Sequence, residues 1–131
     1  MGAVIEGFAG HAYFTVVAGW RRATVAHSSW IEIPEHRILV SAASAWEIAT
    51  KVRIGKLPGA LAVAANFHEC LISQGFAPLD ITADHALRAG SLPGPHRDPF
   101  DRMLIAQAQA LNIPLISNEN LFDHYGIRRI W

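Results

Sequence analysis

VSAASAWEIATKVRIGK, residues 40–56, and its distant counterpart RDPFDRMLIAQAQ, residues 97–109, carry the most informative patterns of this chain. Each combines apolar residues at helical spacing with acidic residues in the first turn of a predicted helix. Glu47 is the acid of the first stretch, and Asp98 and Asp101 are those of the second. Carboxylates grouped in this way, in a chain with a single cysteine, indicate a site for a hard divalent metal ion.

Short apolar segments alternate with helical patterns from about residue 33 onwards. Strands are predicted at Arg37–Ser41, Phe76–Leu79, Ile113–Ser117 and, at a sheet edge, Ile127–Trp131. Helices are predicted at Ser44–Gly55, Ala60–Ser73, Ala83–Ala89 and Asp98–Leu111. Alternation of this kind predicts a mostly parallel sheet with helices on its faces, in one α/β domain over residues 1–131.

Residues 1–31 show no comparable order. Ala12–Ala18 has the composition of a strand, whereas Trp20–Trp30 follows neither a helical nor a strand period. We therefore assign no element to this second segment and regard residues 1–31 as atypical of the rest.

The composition narrows the class of protein. Basic and acidic residues balance at 11 each, which argues against a general coat for nucleic acid but leaves room for a local basic groove. Cys70 is the only cysteine, so a disulfide framework and a cysteine-based zinc site are excluded. No apolar run has membrane-spanning length, and the first residues lack the pattern of a signal peptide. We expect a cytoplasmic protein that does not enter a membrane.

Each acidic residue also has a purely structural interpretation. Ser44 and Glu47 have the S-x-x-E spacing of a capping box. Asp98 precedes Pro99 as a predicted N-cap, and Asp101 suits the positive end of the same helix. Taken singly, these residues do not distinguish a helix cap from a metal ligand.

The predicted topology favours a functional interpretation of the whole set. A helix that follows a parallel strand begins at the carboxyl edge of the sheet, and a helix that precedes one begins there too. Glu47, Asp98, Asp101 and Glu119 therefore converge at the edge where such folds bind ligands. Carboxylates so placed repel one another unless a cation neutralises them, and oxygen ligands select Mg²⁺ or Mn²⁺. Such ions can activate water for attack on a phosphodiester.

Three blocks resemble the C-terminal part of the PIN-domain family: VSAASAWEIATKVRIGKL, HRDPFDRMLIAQAQ and LISNENLFDHYGIRRIW. They occur in the family's order and spacing over about residues 35–131, and they are most similar to the VapC-type toxins of bacterial toxin–antitoxin pairs. The resemblance implies an RNase H-like three-layer α/β/α sandwich and a Mg²⁺- or Mn²⁺-dependent endoribonuclease. It also implies an RNA substrate, a homodimer, and inhibition by a VapB-like antitoxin.

The resemblance also assigns the acidic positions. Glu47 matches the family's second acidic residue and Asp101 its third, with Asp98 as an accessory acid. Glu119 lies where many relatives carry Asp. His96 and Arg97 are candidate phosphate contacts, while the Lys51–Lys56 segment is a solvated face or a contact to the RNA backbone. The apolar helix Ala60–Ser73 fits either the core or a dimer interface.

The family's first acidic residue has no counterpart here. Relatives open with a buried strand that ends in Asp, typically LLDTH, whereas Glu6 is the only acid in residues 1–31. Codons that can encode Phe8 to Ser28 permit LLDTHTLLWWLAGDERLSPTA when they are read one base later. We therefore hypothesise that residues up to about 30 are an out-of-frame product, with the missing Asp encoded across the codons of Gly10 and His11.

Three functions follow from these patterns. The first is a toxin-type ribonuclease with its site built from the four acids, impaired to the extent that the first ligand is missing. The second is a non-catalytic remnant that still dimerises or binds an antitoxin. The third is a metal-dependent phosphatase of another α/β class, against which the lack of a D-x-D motif after the first strand counts.

Overall fold

A computed structural model describes residues 2–6, 13–17, 37–117 and 119–130, the first two ranges as backbone. Its six strands are β1 (Gly2–Glu6), β2 (Tyr13–Val17), β3 (Ile38–Ser41), β4 (Ala77–Leu79), β5 (Leu115–Ile116) and β6 (Arg129–Ile130). They form one sheet in the order β4-β3-β1-β2-β5-β6. The four strands predicted after residue 33 are all present, and the last of them, β6, lies at an edge as expected.

The sheet is mostly parallel, as predicted. Strand β1 is antiparallel to β2, β3 and β5, whereas the pairs β2–β5, β3–β4 and β5–β6 are parallel. Strands β2 to β6 therefore all run in one direction, and β1 alone runs against them. Strand β2 confirms the strand composition of Ala12–Ala18, β1 was not predicted, and Trp20–Trp30 lies outside the described residues.

Five α-helices occur in the described residues: α1 (Ala42–Arg53), α2 (Leu61–Ala65), α3 (Phe67–Gln74), α4 (Ala83–Ser91) and α5 (Pro99–Leu111). Short 3-10 helices cover Pro58–Ala60 and Asn120–Tyr125. No helix in these ranges is long and apolar enough to cross a membrane.

The single helix predicted over Ala60–Ser73 is wrong in one respect, because the chain breaks at Asn66 between α2 and α3. The backbone of Asn66 leaves the helical region, at φ −131° and ψ 44°, and its side-chain Nδ2 donates to the carbonyl of Ala62 at 3.1 Å. Asparagine competes with the helix for backbone hydrogen bonds, which accounts for the break.

Helix α1 begins earlier than predicted. The hydroxyl of Ser41 accepts a hydrogen bond from the backbone N–H of Ala43 at 3.0 Å, so Ser41 is the N-cap. The capping box proposed between Ser44 and Glu47 is therefore wrong, because both residues lie inside the helix. This removes helix capping as the structural explanation of Glu47.

The two long connections place helices on both faces of the sheet. From β3, the chain passes through α1 to α3 and pairs with β4 at one edge, and it then passes through α4 and α5 to β5 on the far side of β3. Crossovers between parallel strands are right-handed, so connections in opposite directions lie on opposite faces. This is the three-layer α/β/α arrangement. Its core is formed by Leu39, Ala43, Ala89, Leu92, Leu104, Ile105, Ala106, Ala108, Ile113, Leu115, Phe122 and Tyr125.

Candidate active site

Helices α1 and α5 both begin at the carboxyl edge of the parallel strands, and Glu47 lies past the first turn of α1, not within it as predicted. Helix α1 starts directly after β3, and α5 starts at this edge because it runs back toward the beginning of β5. The two helices are in contact. The predicted meeting of the two acidic segments is therefore present in the fold.

Glu47 is buried in the middle of α1, with 6% of its surface exposed. Its Oε2 accepts a hydrogen bond from Nζ of Lys51, one turn later, at 3.0 Å. Lys51 was predicted to face solvent, and its side chain is partly exposed, but its ammonium group is paired with this carboxylate. Burial of an ionised carboxylate costs free energy unless a cation lies close to it. Lys51 provides that positive charge, as a bound metal ion would.

Asp98 is the N-cap of α5, as predicted. Its Oδ1 accepts from the backbone N–H groups of Phe100 at 2.8 Å and Asp101 at 3.2 Å, and Pro99 occupies the first turn. The capping interpretation of Asp98 is thus confirmed. It does not exclude a second role, because a carboxylate has further lone pairs for a cation.

The environment of Asp101 strongly shifts the pKa of its carboxyl group. Its pKa is raised from 3.8 to about 6, first by burial and then by the negative charge of Asp98, with a smaller contribution from Glu47. His96 acts in the opposite direction and lowers this pKa. Glu47, Asp98 and Asp101 are thus close enough for their charges to interact, and the negative charge around Asp101 is incompletely compensated.

His96 lies against Asp101, with its Nε2 3.0 Å from Asp101 Oδ2. The distance is that of an ion pair, but the ring nitrogen is not aligned for a hydrogen bond, and it has no hydrogen-bond partner among the described residues. The imidazole is buried and packs against the ring of Phe122, with centroids 5.6 Å apart. Its backbone N–H donates to the hydroxyl of Tyr125 at 2.8 Å. The candidate phosphate contact is therefore directed at a carboxylate.

Arg102 of α5 holds the loop that contains His96. Its guanidinium group donates to three backbone carbonyls, those of Ala89, Leu92 and His96. Gly94 fits the same loop against the ring of Tyr125, because a Cβ there would lie 2.7 Å from the Tyr125 hydroxyl and its φ is +109°. The loop is thus fixed from two sides, and so is the imidazole beside Asp101.

A buried polar network that was not predicted lies beneath the site. The hydroxyl of Ser41 donates to Oε1 of Gln107 at 2.6 Å, and Nε2 of Gln107 donates to the carbonyl of Asp80 at 3.2 Å. The same Nε2 lies 3.3 Å from Nδ1 of His85, which accepts from the backbone N–H of Thr82. The sequence feature that could have indicated this network is Gln107, a polar residue on the apolar face of α5. The network fixes α5 to the ends of β3 and β4.

Glu119 is at the same edge but apart from this cluster. Its exposed side chain accepts from the backbone N–H of Leu121 at 3.2 Å, and its own N–H donates to Ser117 at 3.0 Å. It caps a 3-10 helix, and the groups that shift the pKa of Asp101 do not include it. In the described ranges, no three His, Cys, Asp or Glu side chains are arranged as metal ligands. The part of Glu119 in the site stays a prediction.

Glu6 does not replace the missing first acid. It ends β1, which is antiparallel to the other strands, and it pairs with Tyr13 at the start of β2. This register places Glu6 at the amino edge of the parallel strands, opposite the carboxylates. The only acid of residues 1–31 is therefore at the wrong end of the sheet.

The carboxylate oxygens of the site are of the type that a hard divalent cation prefers, but the described side chains are not arranged around one metal position. Glu47, Asp98 and Asp101 offer oxygen atoms only, which suits Mg²⁺ or Mn²⁺ better than zinc. The raised pKa of Asp101 reflects its burial first and the negative charge of Asp98 second, and His96 offsets only part of these effects. A bound cation would offset the negative charge and would stabilise all three carboxylates in their ionised form.

Comparison with known families assigns the chain to one of them. A family model described as "PIN domain" matches residues 11–127. It covers β2 and every described residue of the site, and it extends further toward the N terminus than the motifs from about residue 35. No curated protein matches the chain.

Proposed function

Because this chain belongs to the PIN-domain family, whose members are generally nucleases, we propose that it is a Mg²⁺- or Mn²⁺-dependent endoribonuclease. The observation that carries this proposal is the position of buried Glu47 in α1 next to α5, whose start carries Asp98 and Asp101, at the carboxyl edge of the parallel strands. The family match also leaves no reason to prefer a phosphatase of another α/β class.

The roles of the individual side chains follow from their surroundings. Glu47, Asp98 and Asp101 would hold the metal ion, with Glu119 as a fourth candidate. A divalent ion bound there lowers the pKa of water and stabilises the leaving oxygen of a phosphodiester. Burial of Glu47 and partial burial of Asp101 limit the access of bulk water, and His96 is a positioning residue that holds the Asp101 carboxylate in one orientation.

We assign the protein more narrowly to the toxin component of a VapBC-type module, on the strength of the three sequence blocks. Such a toxin would act on RNA in the cytoplasm, form a homodimer and be inhibited by a VapB-like antitoxin. Exposed apolar side chains on α2 and α3 support an interface on this side of the molecule: Leu61 is 63% and Ile72 76% exposed. Ala60 and Leu71 are the buried apolar residues of this region, so the core uses only part of it.

A second function is supported by the location of Glu6. Since this acid lies at the opposite edge from the site, a catalytically inactive remnant that dimerises or binds an antitoxin is the alternative. An inactive remnant is the function expected if residues up to about 30 are an out-of-frame product. Resequencing of the locus tests the out-of-frame hypothesis; an uninterrupted frame, with peptides recovered from residues 12–27, would contradict it.

The experiment that separates the two functions compares this chain with a version in which residues 8–28 are replaced by the LLDTH-containing segment. Both are incubated with a mixed RNA pool and Mn²⁺, with Asp101→Ala variants alongside. Cleavage by both versions, abolished by Asp101→Ala, supports an active nuclease. Cleavage by the restored version alone identifies this chain as a disabled copy. Cleavage by neither contradicts the nuclease proposal.

A further inference from the structure

An aromatic pair joins the same two helices that carry the carboxylates. The rings of Trp46 in α1 and Phe100 in α5 are in edge-to-face contact, with centroids 4.7 Å apart and planes at 79°. Trp46 directly precedes Glu47, and Phe100 directly precedes Asp101. The aromatic contact and the carboxylate cluster therefore bridge α1 and α5 side by side, one residue apart along each helix.

The indole of Trp46 is largely open to solvent, with 60% of the residue's surface exposed. An edge-to-face contact on Phe100 occupies only part of the indole and leaves aromatic surface uncovered. A tryptophan exposed beside buried carboxylates is poorly explained by folding, since its burial would be favourable. It is the kind of surface on which a planar ligand stacks.

Basic side chains accompany the aromatic pair. Arg53 lies seven residues after Trp46, on the same side of α1, and is exposed. Arg97, just before α5, is exposed as well, and Lys51 is partly exposed although it pairs with Glu47. Exposed aromatic surface, together with exposed cations on α1 and just before α5, suits the alternation of bases and phosphates in a single-stranded nucleic acid.

We propose that Trp46 and Phe100 form a stacking site for one unpaired nucleobase of the RNA substrate. This rests on the proposed ribonuclease function and adds to it two residues that position the RNA. A base stacked on Trp46 would bring the adjacent phosphodiester to the carboxylates of Glu47 and Asp101. A base inside a duplex is covered on both faces, so the site selects single-stranded RNA.

The test varies both the side chain and the base. A fluorescein-labelled single-stranded RNA and an abasic strand of equal length are titrated against full-length Asp101→Asn protein, which is expected not to cut, and fluorescence anisotropy gives each Kd. Trp46→Ala in this background should weaken binding of the RNA about 5- to 150-fold. It should leave binding of the abasic strand unchanged, because the phosphates are the same. Trp46→Phe should retain most of the affinity.

Leu111→Ala is the matched control, because Leu111 is also an exposed apolar residue but is the last residue of α5, at the opposite end of this helix from Phe100 and the carboxylates. It should not change either Kd. Equal weakening of both strands by Trp46→Ala, or no effect on either, would overturn the stacking site; the second result would point to docking of another macromolecule. Thermal denaturation of each variant identifies loss of folding. If Trp46→Ala does not fold, Trp46→Phe replaces it: retained affinity for the RNA supports the stacking site, and equal weakening of both strands overturns it.

The two proposals fail in different ways. If wild-type protein does not cut RNA with Mn²⁺ while the base-dependent effect of Trp46→Ala is present, the stacking site stands and the nuclease function fails. If wild-type protein cuts RNA and Trp46→Ala changes neither cleavage nor binding, the nuclease function stands and the stacking site is overturned.

Discussion

Nε2 of His96 lies 3.0 Å from Oδ2 of Asp101, and both side chains are largely withdrawn from solvent. They are five positions apart in sequence, yet their contact depends on distant parts of the chain. Tyr125 accepts the backbone N–H of His96, and Arg102 binds its carbonyl. The carboxylate nearest the centre of the candidate site is thus oriented by a loop that the fold fixes on both sides.

Asp101 should destabilise the metal-free protein above about pH 6. Its folded-state pKa, about 6, exceeds the unfolded value of 3.8, so the folded state binds more protons between these limits. Stability therefore falls as pH rises through this window. Asp101→Asn should raise the free energy of unfolding at pH 7.5 by about 1–3 kcal/mol, and the gain should vanish near pH 4. Urea denaturation in EDTA measures it.

Asp123 provides the matched control, because it is exposed and Arg129 lowers its pKa through a hydrogen bond. The sign is opposite, so Asp123→Asn should give no gain in stability at pH 7.5. No gain from Asp101→Asn would contradict a raised pKa of Asp101, and an equal gain from Asp123→Asn would show that the effect is not specific to Asp101.

Metal affinity should depend steeply on pH. Because ligands must be ionised, a proton on Asp101 competes with the cation. The affinity for Mn²⁺ should be nearly constant above about pH 7 and should fall about tenfold per pH unit below about 6. Calorimetric titration across this range measures it. An affinity independent of pH from 5 to 7 would exclude Asp101 as a ligand.

His96→Ala should impair the site without unfolding the protein. Loss of a residue that orients a metal ligand typically costs about 10–100-fold in metal affinity or activity. His96 also lowers the pKa of Asp101, so the pH midpoint of Mn²⁺ binding should move upward in the variant. His68→Ala, on the exposed surface of α3, is the control. An unchanged midpoint in His96→Ala would remove the positioning role.

Arg102→Met should destabilise the loop before α5. The variant leaves three backbone carbonyls without their donor, at a cost of about 2–4 kcal/mol in the free energy of unfolding. Arg88→Met is the comparison, since exposed Arg88 makes one 3.5 Å contact with Gln109 within the described residues, and it should cost less than about 1 kcal/mol. Equal effects of the two substitutions in thermal or urea denaturation would contradict this role of Arg102.

The parts of the fold that local rules determine could be predicted. Asp98 followed by Pro99 predicts the start of α5, and Thr82 predicts the start of α4; both are N-caps in the structure. The start of α1 was misplaced, because Ser41 and Ser44 are equally suitable caps in sequence and only the end of β3 selects the first. The apolar pattern alone predicts one continuous helix over Ala60–Ser73, whereas the structure breaks it at Asn66.

The site could be predicted only as a set of acids at one edge. Topology alone brings Glu47 and Asp101 together, because it requires only the direction of strands and helices. The pairing of His96 with Asp101 depends on side-chain packing around Tyr125, and the pairing of Ser41 with Gln107 on the depth of α5 in the core. Neither leaves a periodic signal in sequence.

The most direct test of the ribonuclease proposal is cleavage of single-stranded RNA by the purified chain, with Mn²⁺ or with EDTA, beside Asp101→Asn. We expect internal cuts that require Mn²⁺ and that Asp101→Asn reduces at least about 100-fold, as for loss of a group that holds the catalytic ion. Cleavage that persists in EDTA, or that Asp101→Asn leaves intact, would contradict a metal-dependent site built on this carboxylate.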